Sequence, residues 1–326
     1  MAAIFPARIF SLAAAAALLI AVSCPGCDAA LSTKYYDKTC PGLQPVVRSA
    51  IAQVVAADPR TGASVLRLFF HDCFVNGCDG SVLLDDAPGL TAEKAAGPNL
   101  GSLRGFEAVD AVKARVEAAC KATVSCADIL ALASRDAVSL LGGPTWTVKL
   151  GRKDARTASQ AAANANLPGP GASLASQLAS FAAKGLSARD MTALAGAHTV
   201  GRARCQTFRG RVNGGDANVN ATFATQLQQG CPAANGVGDS SLAPLDAETP
   251  DVFDNGYFLG LAQQRGLLHS DQELFSGGSQ DALVRKYGGN AGMFANDFAR
   301  AMVKMGSLEP AAGTPVEVRI NCRKPN

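Results

Sequence analysis

The chain has 326 residues, 48% of them hydrophobic, and a formal net charge of +3. That length can bury a substantial core, as one large domain or two lobes. The basic residues are dispersed with no dense Lys/Arg run, which argues against a nucleic-acid partner.

The first 30 residues differ from the rest. Arg8 gives a positive start, Ile9 to Val22 is an apolar run broken only by Ser11, and Ala29 and Ala30 offer small residues for cleavage. This pattern reads as a secretory signal peptide rather than a membrane anchor, for which the run is short. No later segment reaches spanning length, so residues 31–326 are expected to be a soluble mature protein. Of ten cysteines, Cys24 and Cys27 fall inside the signal. The other eight are Cys40, Cys73, Cys78, Cys120, Cys126, Cys205, Cys231 and Cys322. An even count in a secreted chain suggests four disulfides, with the pairing left open at this point. Cys73 and Cys78 are close enough to clip a tight loop. Asn220-Ala221-Thr222 is a glycosylation sequon, which fits a surface loop.

Further along, the dominant period is helical. Val46, Val47, Ala50, Ile51, Val54 and Val55 make one apolar stripe; Phe106, Val109, Val112 and Val116 make another. Val65 to Phe74 reads as a helix with an aromatic and aliphatic face. Ser125 with Asp128 forms a capping box opening a helix over 127–141, and Ser187 with Asp190 a second, whose helix runs toward His198 and ends near Gly201. Met293, Phe294, Phe298, Met302 and Met305 line a late helix. Strand signals are confined to Trp146–Leu150 and Val316–Ile320. Gly and Pro clusters at 142–144, 168–171 and 234–238 mark loops. The expected architecture is mostly α, with about ten helices by caps and periods.

Polar chemistry concentrates in RLFFHDCFVNGCDGS, residues 67–81. Arg67 and His71 are four apart and share a helix face. Burying both among Phe69 and Phe70 would be costly without a purpose, although a solvent-facing pair at a helix end is an equal alternative. Asp72, Asp79 and Ser81 bracket a glycine-containing loop whose oxygens suit a hard cation, most plausibly Ca²⁺, without EF-hand spacing. In ALAGAHTVG, residues 193–201, small residues around His198 would let a flat group approach the backbone. By itself that histidine is more often structural than a ligand. DAETPDVFD, Asp246 to Asp254, is either a second cation loop or a plain turn.

Taken together, these stretches strongly resemble the secreted plant haem peroxidases, often called class III. The resemblance runs from YYDKTCP at 35–41 to NCRKPN at 321–326. Between them lie EKAAGPN (93–99), RGFEAVD (104–110), SCADILALASRDAV (125–138), WTVKLGRKDART (146–157), ANLPGP (165–170) and SDQELF (270–275). The resemblance implies an all-α, two-lobed fold with haem b between distal and proximal lobes, four disulfides and very little strand. It implies that His198 is the axial iron ligand and Asp271 its partner. Arg67 and His71 are implied as the distal catalytic pair, Phe70 as packing over the haem, Asn99 as orienting His71, and Pro168 as meeting reducing substrates through its carbonyl. Two Ca²⁺ sites are implied. Asp72, Val75, Gly77, Asp79 and Ser81 would hold one, with Val75 and Gly77 acting through carbonyls and Glu93 through water. Thr199, Asp246, Thr249, Val252 and Asp254 would hold the other, with Val252 acting through its carbonyl. The implied disulfides are Cys40–Cys120, Cys73–Cys78, Cys126–Cys322 and Cys205–Cys231.

The function expected from the resemblance is reduction of hydrogen peroxide with one-electron oxidation of small phenols, in cell-wall and lignin metabolism, peroxide removal or oxidative stress. The protein is expected to be a monomer secreted to the apoplast or wall, since only a four-residue tail follows Cys322. Thr207 stands where some relatives carry an aromatic ring near the haem edge, which leaves donor preference open. His269 reads as structural or exposed. Two other functions are weighed: a wall protein that has lost haem chemistry, and a hydrolase using His71 with Cys73 or Ser81. The first would lack His198, Arg67 or His71; the second would need a free thiol or an oxyanion motif beside the serine.

Overall fold

In the computed structural model, which describes Met1 and residues 31–326, the apolar stripes read from the sequence become helices. The signal-peptide reading, with Cys24 and Cys27, lies outside the described residues. Leu43–Ala57 buries Leu43, Val47, Ala50, Ile51 and Val55. Phe106–Ala119 buries Phe106, Val109, Val112 and Val116. Cys126–Leu140 is buried from Cys126 through Val138, its polar Asp128, Ser134, Arg135 and Asp136 included. A helix covered on all sides belongs at the centre of a fold. It packs against both Leu43–Ala57 and the helix Arg60–Asn76.

Arg60–Asn76, hereafter the distal helix, extends past the expected 65–74 at both ends. Its start is capped by Asp58, whose Oδ1 accepts from Arg60 N at 3.0 Å. It stops at Gly77, where φ is 93° and an added Cβ would lie 2.5 Å from the backbone of Glu309. Only glycine satisfies both conditions.

The two capping signals behave differently. Ser187 and Asp190 cap reciprocally, opening Ala188–Ala195. Ser125 accepts from Asp128 N at 3.1 Å, but Asp128 does not reciprocate. Its carboxylate instead accepts from Tyr36 Oη, Gly151 N and Arg152 Nη1. A buried guanidinium is the stronger partner and outbids the local backbone.

Strand is sparse. Val316–Glu317 pairs antiparallel with Asp154–Ala155. Trp146–Leu150 is not a strand, although Val148 and Leu150 point inward; only Leu150 finds a partner, in Ser32. Arg202–Arg204 pairs with Leu242–Pro244, which no alternation announced. Thirteen α-helices stand among the described residues. The excess over the sequence reading comes from pieces such as Cys205–Gly210 and His269–Gln272, too short to show a period.

The disulfides join Cys40–Cys120, Cys73–Cys78, Cys126–Cys322 and Cys205–Cys231. Beside Cys322, the fully buried Arg319 reaches the loop after the distal helix, donating Nη2 to Gly80 O. Asp154 accepts from Arg319 N at 2.8 Å and from Cys126 N at 2.9 Å. The C-terminal segment thus braces the loop over 77–81. Residues Leu31–Asn326 form one compact unit.

Candidate active site

On the distal helix, one turn separates Arg67 from His71, and both face a loop at 98–102. Arg67 Nε donates to His71 Nε2 at 3.1 Å. A guanidinium cannot accept, so Nε2 is the acceptor and the proton resides on Nδ1. That Nδ1–H donates to Asn99 Oδ1 at 2.6 Å. Asn99 in turn donates Nδ2 to Glu93 O at 2.8 Å, which fixes its amide orientation. His71 is buried; burial, then the Arg67 charge, hold its pKa well below the ordinary imidazole value despite the Asn99 hydrogen bond. The ring is neutral at physiological pH, with its basic nitrogen in the state a general base requires. Burial lowers Arg67 to about 10, which still leaves it charged. Its remaining donors go to Ser102 O, Pro98 O and Ser102 Oγ, at 3.0, 2.9 and 3.0 Å. Phe70 lies edge-on to His71, with ring centroids 5.7 Å apart, and stacks on Phe74.

His198 sits in the single turn Gly196–Thr199 that follows Ala188–Ala195. Its Nδ1–H donates to Asp271 Oδ1 at 2.6 Å. No described group bonds to Nε2, and the side chain is 39% exposed although Gly196 and Thr199 beside it are buried. An imidazole pinned at one nitrogen and open at the other fits a metal ligand. Asp271 is buried and also takes Leu268 N on Oδ2 at 2.9 Å and Tyr257 Oη on Oδ1 at 3.2 Å. Burial, then the Asp271 charge, hold the Tyr257 phenol far above its ordinary pKa, so it stays protonated and donates.

The acidic loops divide by chemistry. At the end of the distal helix, Asp72, Asp79 and Glu93 are all buried. Burial, then the Asp79 charge, push the Asp72 carboxyl well up; burial also raises Asp79, and brings Glu93 to about 7. Ser81 Oγ and Glu93 Oε2 are buried without a hydrogen-bond partner. Crowded carboxyls and orphaned oxygens together fit a bound cation. The Gly77 carbonyl has no described donor, whereas Lys184 Nζ donates to Val75 O at 2.9 Å. In the second loop, Thr199 Oγ1 lies 3.2 Å from Asp246 Oδ2 and 3.1 Å from Asp254 Oδ1. Thr249 Oγ1 lies 3.3 Å from the same Asp246 oxygen. A Cβ on Gly256 would meet Asp246 Oδ2 at 2.4 Å and Asp254 Oδ1 at 2.9 Å, so these oxygens converge on one point. Val252 contributes an exposed side chain and a carbonyl without a described donor. No group of three or more His, Cys, Asp or Glu side chains converges as a metal site among the described residues. Both loops also offer carbonyl and hydroxyl oxygens, the donor types a hard cation takes.

Pro168 lies half-buried in the turn after Gln160–Asn166, and no described group donates to its carbonyl. Two residues on, Pro170 O accepts from Ser270 N at 2.9 Å, tying this turn to the segment bearing Asp271. Asn220 caps Ala221–Gln228 through Oδ1, leaving Nδ2 without a described partner. His269 is half-exposed and hydrogen-bonded through Nδ1 to Asp216 Oδ2 at 2.8 Å. Residues the sequence reading missed are Tyr257 on Asp271, Ser102 and Pro98 on Arg67, and Lys184 on Val75. Pro98 falls within EKAAGPN, but its contact with Arg67, like the others, is found only by its distance to a group already singled out.

A family model described as Peroxidase matches residues 47–290. Peroxidase P7 of Brassica rapa subsp. rapa is 56% identical over 296 residues, covering 91% of this chain and all of that protein. Peroxidase 4 of Vitis vinifera is 50% identical over 317 residues, 97% and 98% of the two chains. Peroxidase 22.3 of Oryza sativa subsp. japonica is 54% identical over 299 residues, 92% of each.

Proposed function

The chain belongs to the peroxidase family as a class III plant haem peroxidase, and on that premise we propose that Arg67, His71 and Asn99 carry its proton chemistry while His198 holds the haem iron. It is a haem-dependent enzyme that uses hydrogen peroxide. The observation that carries the assignment is the pairing of two histidines in opposite states. His71 is neutral, buried and held in one tautomer, whereas His198 is tied to a carboxylate with its other nitrogen open.

Haem b, which His198 would hold, would supply the iron redox chemistry that takes two electrons from donors for each peroxide reduced. His71 Nε2 takes a proton from the bound peroxide and returns it to the departing oxygen as water. Arg67 Nε–H now occupies that nitrogen at 3.1 Å, so the guanidinium must give way as peroxide arrives. The donor it frees then faces the oxygen on which charge develops. Asn99 keeps the Nδ1–H tautomer throughout. Asp271 polarises the His198 Nδ1–H bond, which would make Nε2 a stronger donor to a bound iron.

We also assign one Ca²⁺ to Asp72, Val75, Gly77, Asp79 and Ser81, with Glu93 acting through water. A second goes to Thr199, Asp246, Thr249, Val252 and Asp254. Phenolic donors would meet the Pro168 carbonyl, serving wall and lignin metabolism, peroxide removal or oxidative stress. Residues 1–30 would direct secretion to the apoplast or wall of a monomeric, two-lobed domain over 31–326. The four disulfides and a free Nδ2 on Asn220 for a glycan support that route. No described helix is long and apolar enough to cross a membrane. The hydrolase alternative loses its nucleophiles: Cys73 is in a disulfide, and Ser81 Oγ is buried with no base bonded to it.

Replacing His71 by Leu tests the assignment. The rate with peroxide should fall by about 10²- to 10⁴-fold, the range for losing a general base, while the Soret band persists. Parallel loss of haem and activity would contradict the role given to His71.

A further inference from the structure

Asp271 accepts three hydrogen bonds, and they are unevenly shared. Oδ2 takes one, from Leu268 N at 2.9 Å. Oδ1 takes two, from His198 Nδ1–H at 2.6 Å and from Tyr257 Oη at 3.2 Å. The phenol therefore competes with the imidazole for the same oxygen. Tyr257 is 3% exposed, and its ring stands edge-on to His198 at 86° with centroids 6.1 Å apart. It belongs to Gly256–Ala262, the helix that begins directly after the acidic loop 246–254. Phe258 beside it is fully buried and packs edge-on against it, at a centroid distance of 5.0 Å. The hydroxyl is thereby held in place rather than free to swing.

We propose that Tyr257 is a positioning residue that sets how strongly His198 donates to the iron, by drawing negative charge from Asp271 Oδ1. A carboxylate oxygen that accepts a second hydrogen bond is a weaker acceptor for the first. With the phenol in place, the His198 Nδ1–H bond is polarised less, and the ferrous state is favoured relative to a site without it. Removing the hydroxyl leaves Asp271 more basic, His198 more anionic in character and ferric iron better stabilised. The inference rests on the reading of His198 as the iron ligand.

The test uses the mature holoprotein and Tyr257→Phe, which keeps the ring and removes the donor. The ferric/ferrous equilibrium should shift toward ferric on the order of threefold, which is about 28 mV at 59 mV per decade for one electron. The ferrous iron–imidazole stretch should rise. In an Asp271→Asn background, Tyr257→Phe should move neither. Global 3-fluorotyrosine labelling keeps the fold question separate: a more acidic phenol donates more strongly and should shift the potential the opposite way. Only four tyrosines exist, and of these Tyr257 alone bonds to Asp271. An unchanged potential and stretch in Tyr257→Phe, or an equal shift with Asp271 already replaced, would overturn the proposal. A wild-type protein with no iron–imidazole stretch would overturn the His198 assignment itself, and the proposal with it.

Discussion

Gly196 lies two residues before His198 in the same tight turn, and replacing it with alanine tests how that histidine is positioned. A Cβ at 196 would lie 2.4 and 2.6 Å from Phe294 Cε2 and Cζ, and 2.9 Å from Phe258 Cε2. Ordinary carbon contacts fall near 3.5–4.0 Å, so the overlap is about 1 Å against two rings at once. Neither ring can yield easily: Phe294 and Phe258 are buried and packed edge-on, with centroids 4.9 Å apart. Phe253 stacks on Phe294 from another side. The turn must therefore move instead, taking His198 and Thr199 with it. Overpacking of this kind costs about 1–3 kcal/mol. At about 2.1 cal/mol/K of unfolding entropy per residue, a mature chain of this size should lose roughly 3 °C of melting temperature for about 2 kcal/mol. A shift of ~1 Å at a positioned group can cost ~10²-fold in rate. Gly260→Ala is the matched control, because nothing lies within 4 Å of its added Cβ. In the helix Gly256–Ala262 it should stabilise by up to ~1 kcal/mol. Thermal melts, the Soret band and stopped-flow rates with peroxide read both variants. Equal melting temperatures and rates for Gly196→Ala and wild type would refute the claim that a closed aromatic wall positions His198.

Removing calcium should lower the rate with peroxide before helicity is lost, because Asp72 lies on the distal helix and the loop carrying Asp79 and Ser81 continues directly from it. Metal analysis, far-UV circular dichroism and the peroxide rate, followed together during chelation, check this. Full activity at zero calcium would contradict the positioning role. Lys304→Met should destabilise the protein in a pH-dependent way. Burial acts to raise the Asp190 carboxyl, but hydrogen bonds from Lys304 and Ser187 outweigh it and hold the pKa below its ordinary value. A depressed folded pKa contributes stability above the unfolded pKa and loses it as pH falls through the folded one. Lys304 is half-exposed, so the loss should be at most ~1 kcal/mol at neutral pH. Denaturant titrations should show it beginning to shrink near pH 3.9, the unfolded carboxylate value, and vanishing only as pH falls through the lower folded pKa. A cost that grows on acidification would reverse the sign argued here.

Much of the architecture was legible because helical period and capping are local. The stripe Val47–Ala50–Ile51 and the Ser187–Asp190 box need nothing beyond their own helix. Failures occur where a distant partner decides. Asp128 abandons its cap for Arg152 and Tyr36, neither of which is near it in sequence. Trp146–Leu150 alternates properly yet lacks a neighbouring strand, while Arg202–Arg204 pairs with no alternation at all. The site divides in the same way. Arg67 and His71 share a face by spacing alone. That Arg67 rests on His71 Nε2, or that Tyr257 shares an oxygen with His198, depends on three-dimensional placement.

The most direct test of the whole account replaces His198 by glycine in the mature, haem-loaded protein and adds imidazole. The reading predicts loss of the iron–imidazole stretch and of peroxide turnover, with both returning as free imidazole fills the vacated position. An unaltered stretch and turnover in His198→Gly without imidazole would mean that another residue binds the iron.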